Sequence, residues 1–310
     1  MLSRIAESLF WIGRYLERAD GTARILDAHL QLLLEDPWID EDAACRSLLT
    51  VMGAELPGNE ASVTRNDVLR LLAVDRTEPA SIAFSLWSAR ENARRAREIV
   101  STELWESLNT TATGMPKRVT PEKVHGLFRW VRDRVALAVG VNESLMGRDD
   151  AWHFYRLGRN LERADMTARL LATRSLTQAT GASWTTILRS CSAYEAYLRT
   201  YRGVASARNA AEFLLLDRLF PRSIMYSVSH ALYAVRDLEP LTARVGVPDR
   251  AALLLGQVIS GLEYRSIGEI VDDLPSNMAT VQRATSATSE AIRSRYFPTN
   301  ALPMWVGENS

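Results

Sequence analysis

The chain has 310 residues, of which 47% are apolar and 24% charged, and its formal net charge is zero. Such a composition is ordinary for a globular protein, and the neutral balance gives no indication of a nucleic-acid partner or of an acidic membrane surface. Two cysteines are too few for a disulfide framework, and no apolar run approaches the roughly 20 residues that a membrane span requires. We therefore expect a cytoplasmic protein that binds neither nucleic acid nor membrane.

Almost every long segment carries apolar residues at helical spacing. Residues 3–34 predict one long helix that ends at a Glu-Asp-Pro sequence, and residues 41–53 predict a second helix. A third helix is expected to begin near Asn66. The segment 79–108 predicts a single long helix with a proline in its first turn, where a missing N–H costs nothing.

Residues 110–147 are predicted to form a linker followed by another helix. Residues 110–116, rich in threonine, are expected to form a linker. Pro121 then predicts the start of a helix that runs to about Gly147. Since no stretch of the chain alternates apolar and polar residues with the period of a strand, we predict an all-α helical bundle.

The most informative feature is an internal repeat. The segment Gly13–Leu26, here the first motif, recurs as Gly158–Leu171, the second motif, with three differences in fourteen positions. The first turn segment, Leu72–Ser85, likewise shares the pattern Asp-Arg-x-x-Pro-x-Ser-Ile with the second turn segment, Leu214–Ser227. Repetition of this kind predicts a duplicated chain with pseudo-twofold symmetry.

The repeat suggests a division of the chain. We place one helical repeat at residues 1–146 and the other at 147–297, joined in one compact unit, with an extended tail over 298–310 that contains Trp305. In each turn segment the pattern predicts a helix end, a turn, and then the proline at the first position of the next helix.

Each motif places one glycine, two acids and one arginine on one side of its helix. They are Gly13, Glu17, Asp20 and Arg24 in the first motif and Gly158, Glu162, Asp165 and Arg169 in the second. At 100° per residue each set lies within about 60°. The aspartate precedes the arginine by four residues, the favourable order for an ion pair. A glycine inside a helix costs about 1 kcal/mol, so its presence predicts a close approach by another chain segment.

Two interpretations of this polar side stay open. In the structural one, the charges are buried between two helices, and the glutamate of each motif pairs with arginines of the other. In the functional one, the charges line a groove that binds a ligand or carries out catalysis. The candidate binding residues are Arg14, Glu17, Arg18, Asp20, Arg24, Arg159, Glu162, Arg163, Asp165 and Arg169, with Glu17 and Glu162 as catalytic candidates.

A second group of arginines lies on the predicted helix 79–108. Arg90, Arg94, Arg95 and Arg97 alternate with two glutamates and form either a solvated face or a surface that docks an anion or a partner, because arginine binds carboxylates and phosphates in a bidentate manner. Arg90 and Arg94 are therefore added to the candidate binding residues.

Weaker signals have ordinary explanations. Glu122 and His125 have the Glu-x-x-His spacing of di-iron bundles, but no second such motif exists, so neither a metal nor another cofactor is expected. His153 and His230 are interpreted as helix-surface or capping residues. The two cysteines, Cys45 and Cys191, are expected to be small core residues.

Three stretches carry a resemblance to a known family. Residues 9–20 are similar to the signature of the bacterial alpha-E family, helical proteins named for a Glu-Arg motif, and residues 88–94 and 213–223 also resemble members. The resemblance implies a setting in peptide or amide-bond synthesis, because members are encoded beside a circularly permuted ATP-grasp ligase and a transglutaminase-like cysteine peptidase, sometimes with a proteasome-like peptidase. It carries over to the motif residues Glu17, Arg18, Glu162 and Arg163.

We therefore expect an accessory protein that binds an ATP-grasp ligase or presents its peptide substrate. One alternative is an enzyme that acts on a peptide or amino-acid-like substrate. In that case Glu17 or Glu162 would need a raised pKa to act as general base, and Arg18 and Arg163 would hold the substrate carboxylate. A helical-bundle metal protein is the other alternative.

Overall fold

The computed structural model describes residues 2–35, 37–55, 62–175, 184–202, 206–239 and 249–298. These residues form helices and turns, and no strand occurs among them. The predicted all-α fold is therefore confirmed. In the same ranges no helix combines the length and the apolar character needed to cross a bilayer.

The helices in chain order are α1 (Ser3–Glu35), α2 (Glu41–Met52), α3 (Arg65–Leu69), α4 (Ile82–Arg95), α5 (Thr102–Gly114), α6 (Val124–Leu145), α7 (Asp150–Ser175), α8 (Trp184–Ser190), α9 (Tyr194–Tyr201), α10 (Ala207–Leu216), α11 (Ile224–Leu238), α12 (Arg250–Glu263), α13 (Ile267–Asp272) and α14 (Leu274–Tyr296). A π-helical turn, Arg70–Val74, continues α3, and a 3-10 turn, Pro121–Lys123, precedes α6.

Helices α1 and α7 form the centre of the protein and pack against each other over much of their length. Helices α4 and α6 pack on α1, and α5 contacts both of them. Helices α11 and α14 pack on α7, and α12 contacts both of those. Because α1 carries the first motif and α7 the second, the two motifs meet in the middle of the fold. The division into repeats at 146/147 stays a prediction, and the boundary falls between α6 and α7.

The glycines of the motifs allow α1 and α7 to touch backbone to backbone. A Cβ atom on Gly13 would overlap the carbonyl oxygen of Tyr155, and a Cβ atom on Gly158 would overlap that of Phe10. The predicted close approach is therefore confirmed. The apolar side chains of the first motif are also buried, since Leu16, Ala19, Ala23 and Leu26 are each at most 1% exposed.

The prediction of one helix over 79–108 with a proline in its first turn is wrong. The side chain of Ser81 accepts a hydrogen bond from the N–H of Phe84 and caps α4, so the proline stands in the turn before the cap. The second turn segment behaves identically, because Ser223 caps α11 and Pro221 precedes it. In both segments the cap, rather than the proline, decides where the helix starts.

A second cap also interrupts the predicted helix. Helix α4 ends at Arg95, and the side chain of Ser101 accepts from the N–H of Leu104 at 3.2 Å to start α5. The predicted linker over 110–116 is wrong for most of its length, since α5 continues to Gly114. Two of its threonines, Thr111 and Thr113, fit this helix because their hydroxyls donate to carbonyl oxygens four residues earlier.

The C-terminal end of the described chain is tied to the centre. The ring of Phe297 lies 5.8 Å from the ring of Phe10 and 5.6 Å from that of Phe154. The end of α14 is thereby fixed against both α1 and α7. Most of the predicted tail, residues 299–310 with Trp305, lies outside the described residues.

Candidate functional site

The glutamate of the first motif binds arginines of the second motif. Glu17 on α1 is only 2% exposed. Arg163 on α7 donates from Nε to Oε2 of Glu17 at 2.9 Å and from Nη2 to Oε1. Arg159, one turn earlier, donates from Nε to Oε1 at 3.2 Å. Each carboxylate oxygen of Glu17 thus accepts a hydrogen bond from the neighbouring helix.

A third arginine comes from the second turn segment. Arg222 donates from Nη2 to Oδ2 of Asp20 at 2.6 Å, and its Nη1 lies 3.6 Å from Oε2 of Glu17. The same oxygen of Asp20 accepts from Nε of Arg24 at 2.7 Å, which confirms the predicted pair within the helix. We call this group the Glu17 cluster; its members are Glu17, Asp20, Arg24, Arg159, Arg163 and Arg222.

The glutamate of the second motif makes the reciprocal contacts. Glu162 is fully buried, and Arg18 on α1 donates from Nε to its Oε1 at 2.6 Å and from Nη2 to its Oε2 at 3.1 Å. Arg14 donates from Nε to Oε2. Nε of Arg169 donates to Oδ2 of Asp165 at 2.7 Å. We call this group the Glu162 cluster; its members are Arg14, Arg18, Glu162, Asp165 and Arg169.

The turn segments hold both motifs in register through backbone carbonyls. Arg18 donates to the carbonyl of Pro79 at 3.4 Å, and the hydroxyl of Thr22 donates to that of Ala80 at 3.2 Å. In the second motif, Arg163 and Thr167 donate in the same way to the carbonyls of the equivalent residues, at 3.4 and 3.0 Å. Each motif helix is therefore fixed to the start of the helix that packs on it.

The electrostatics of both clusters keep the glutamates ionised. Burial acts to raise the pKa of Glu17, but the guanidinium groups of Arg163 and Arg222 outweigh it and hold that pKa well below its usual range. For Glu162, burial is likewise outweighed by Arg14 and Arg18, so its pKa is lowered to about 2. A general base at neutral pH needs a shift in the opposite direction. These carboxylates are fixed negative charges.

A cleft of about 410 Å³ opens beside the Glu162 cluster. One wall is the first turn segment, with Glu78, Pro79 and Ala80, and the opposite wall is α14, with Gln282, Thr285 and Ser286. All five members of the Glu162 cluster line this cleft, together with Met52, Gly53 and Met166. The ion network formed by the two motifs is therefore buried, and its Glu162 cluster borders a cleft.

Arginines on α4 and next to its two ends form a separate surface. Arg90 lies between two rings, 4.9 Å from that of Trp87 and 5.5 Å from that of Trp105, and its Nε donates to Asn109 at 2.7 Å. Arg76 also covers Trp87, and Arg97 also covers Trp105. Arg94 is exposed and pairs with Glu91 at 2.9 Å. We call the alternating set the Arg–Trp surface; its members are Arg76, Trp87, Arg90, Arg97 and Trp105.

The histidines singled out in the sequence have structural partners. Nδ1 of His125 lies 2.7 Å from Oδ1 of Asp27, whose other oxygen accepts from Arg132 at 3.2 Å. His153 lies 3.4 Å from a carboxylate oxygen of Asp237 on α11. Throughout the described part of the chain, no group of three histidine, cysteine or acidic side chains is arranged to hold a metal ion.

Both cysteines are core residues, as predicted. Cys45 and Cys191 are at most 2% exposed. Burial raises the pKa of the Cys45 thiol to about 12 and that of Cys191 to about 11, so neither forms a reactive thiolate at neutral pH.

One member of the site could not be identified from the motif alone. Arg222 lies 202 residues from Asp20 in the chain, outside both motifs. The signal for it is an exchange between the turn segments, where Arg222 stands at the position equivalent to Ala80. Within the motifs, Met166 stands at the position equivalent to Gly21, and its side chain packs directly against that glycine.

Fold and site together define a class: an all-helical protein whose two longest helices are joined by a crosswise network of buried glutamates and arginines. The chain belongs to the Alpha-E family, described as a predicted alpha-helical domain with a conserved ER motif, which matches residues 1–297. Glu17-Arg18 and Glu162-Arg163 are its two Glu-Arg pairs.

The chain is also similar to uncharacterized proteins of Mycobacterium bovis and Mycobacterium tuberculosis. In each comparison 24% of 263 residues are identical, which covers 76% of this chain. The chain spans only 30% of the length of these relatives. No solved structure matches it.

Proposed function

We propose that this protein is an accessory component of a peptide or amide-bond-forming system, in which it binds a circularly permuted ATP-grasp ligase or presents that ligase's peptide substrate. The observation that carries the proposal is the Arg–Trp surface. The class of partner is the one that the family resemblance implies, and a transglutaminase-like peptidase of the same setting is a further partner to test.

The Arg–Trp surface has the chemistry of a protein-binding site. Tryptophan and arginine are the residue types that contribute most binding energy at interfaces. Trp87 is 36% exposed although it is large and apolar. Because Arg76 and Arg90 both lie over its ring, these side chains are ordered before a partner arrives, which lowers the entropy cost of binding.

The buried motif favours binding over acid–base catalysis. Glu17 and Glu162 are each held by arginines of the opposite motif, and their pKa values are lowered rather than raised. A carboxylate in that state accepts a proton poorly at neutral pH. The conserved chemistry of the motif therefore serves to shape the protein.

The length of the relatives fits the same proposal. About a quarter of this chain lies outside the match, whereas 70% of each mycobacterial relative does, since only 30% is covered. In those proteins the matched helical region is part of a much longer polypeptide. A matched region that lies beside other sequence in one polypeptide supports a role in contact with partner domains.

The direct test is complex formation with a circularly permuted ATP-grasp ligase from the same organism. Native mass spectrometry of the co-purified pair should give a defined stoichiometry, and the ligase should turn over faster with this protein present. Absence of a complex together with unchanged turnover would contradict the proposal.

A pair of charge reversals locates the interface. Arg97→Glu removes an exposed member of the Arg–Trp surface and should weaken the complex at least tenfold. Arg283→Glu, on the exposed side of α14, is the matched control and should leave the affinity unchanged. Equal effects of the two variants would remove the Arg–Trp surface from the proposal.

The enzymatic alternative has one observation in its favour, the cleft beside Glu162. If the protein acts on a peptide or amino-acid-like substrate, Glu162→Gln should abolish turnover while the protein remains folded. If the network is structural, the same variant should instead lose melting temperature. The two outcomes separate catalysis from architecture in one variant.

A further inference from the structure

The two turn segments place Ala80 and Arg222 at matching positions against the two motifs. The carbonyl of Ala80 accepts from Thr22, and the carbonyl of Arg222 accepts from Thr167, the equivalent threonine. The backbone is therefore anchored in the same way at both places. Only the side chain differs, a methyl group in one case and a guanidinium on a long chain in the other.

In the Glu17 cluster that guanidinium is an integral part of the site. Arg222 reaches across to Asp20 at 2.6 Å and approaches Glu17 at 3.6 Å. In the Glu162 cluster the corresponding carboxylates are Asp165 and Glu162, and both line the open cleft beside Ala80. Oδ2 of Asp165 accepts from Arg169, as Asp20 does from its own arginine, and Oδ1 accepts from the hydroxyl of Thr285 at 3.3 Å. Among the described residues no second arginine contacts Asp165 as Arg222 contacts Asp20.

A second exchange alters the charge of the cleft in the same direction. Glu78 lines the cleft at the position where the second turn segment has Phe220. Relative to the Glu17 cluster, the Glu162 side thus lacks one positive charge and gains one negative charge. Its three arginines are balanced by three carboxylates, Glu78, Glu162 and Asp165. The net charge of the cleft lining is therefore zero. One further cation can be accommodated there, as Arg222 is in the Glu17 cluster.

The geometry points to the cleft as a binding site for a guanidinium group on a flexible chain, such as an arginine side chain of a peptide. The guanidinium takes the place against Asp165 that Arg222 takes against Asp20, while the fully buried Glu162 stays paired with Arg14 and Arg18. Ala80 leaves the space, and Glu78 supplies the additional negative charge. At about 410 Å³ the cleft also has room for the chain that carries the cation. This inference is independent of the proposed ligase partner.

Isothermal titration with N-acetyl-L-argininamide tests the inference on the unmodified protein. The probe should bind saturably with a stoichiometry of one. The matched control is N-acetyl-L-citrullinamide, which has nearly the same shape but no charge, and it should bind at least tenfold more weakly. Absence of saturable binding of the arginine probe, or equal binding of the citrulline probe, would overturn the inference.

Two variants place the site. Ala80→Arg supplies the guanidinium from the protein itself, so it should weaken probe binding at least tenfold and raise the melting temperature. The reverse change, Arg222→Ala, opens the equivalent space beside Asp20 and should raise the stoichiometry from one to two. Probe binding to a folded Ala80→Arg variant with wild-type affinity would show that the probe binds elsewhere and would refute the assignment.

Discussion

The crosswise network can be tested by removing a single charge from Glu17. The substitution Glu17→Gln keeps the size of the side chain but replaces a carboxylate that accepts from Arg159 and Arg163. The new amide has one oxygen and one NH₂ group, and the NH₂ group faces guanidinium donors. Arg163, which is almost fully buried, then loses its nearest negative charge, whereas Arg222 loses its more distant one at 3.6 Å and keeps Asp20.

The size of the effect follows from the burial of the group. Removing one partner of a buried ion pair costs about 3–5 kcal/mol, because the other charge stays buried without compensation. The entropy of unfolding is about 2.1 cal/mol/K per residue, or roughly 0.65 kcal/mol/K for 310 residues. The melting temperature of Glu17→Gln should therefore fall by about 5–8 °C.

Differential scanning calorimetry and urea unfolding measure this change. The matched control is Glu290→Gln on α14, which removes a carboxylate from an exposed pair with Arg293 and should leave stability essentially unchanged. If Glu17→Gln destabilises the protein no more than Glu290→Gln does, the reasoning about the buried network is wrong.

Further predictions concern packing, pH and thiol reactivity. Gly13→Ala should destabilise the protein by about 2 kcal/mol or more in urea unfolding, because the new Cβ overlaps backbone atoms of α7. The control Gly140→Ala, on the open side of α6, should stabilise the protein by about 0.5–1 kcal/mol. Equal effects of the two variants would contradict the close contact between α1 and α7. Because the pKa of Glu162 is lowered from 4.5 to about 2, its contribution to stability is fully present above pH 4.5 and is lost as the pH falls to about 2. The free energy of unfolding should therefore decrease through that pH range, and it should decrease less steeply in the variant Glu162→Gln. The Cys45 thiol, with its pKa raised to about 12, should react with a thiol reagent only after unfolding; rapid labelling of the native protein would contradict its burial.

Much of the architecture follows from local sequence rules. The long helices were predictable because their apolar residues recur at helical spacing over many turns, as in residues 3–34. The break in the predicted helix 79–108 was missed, because Ser101 acts as a cap only when the chain leaves the helix just before it. A serine in a helical pattern is compatible with either outcome, and tertiary packing decides.

The site was predictable only as far as the repeat reaches. Two closely similar motifs, each with a glutamate and flanking arginines, predict pairing between them, and the contacts of Glu17 and Glu162 agree with it. A groove beside the charges was one of the two open interpretations, but its walls, the first turn segment and α14, could not be assigned from the motifs. Arg222, which contacts Asp20, and Ala80, which lines the cleft, both lie outside the motifs.

A double-mutant cycle tests the crosswise pairing most directly. The unfolding free energies of Glu17→Gln, Arg163→Met and the double variant give the coupling between Glu17 and the opposite motif, and the same cycle with Arg18→Met gives the coupling to its own motif. The coupling to Arg163 should be about 2 kcal/mol and exceed that to Arg18 by at least about 1 kcal/mol. A coupling to Arg18 equal to or larger than that to Arg163 would contradict the crosswise network.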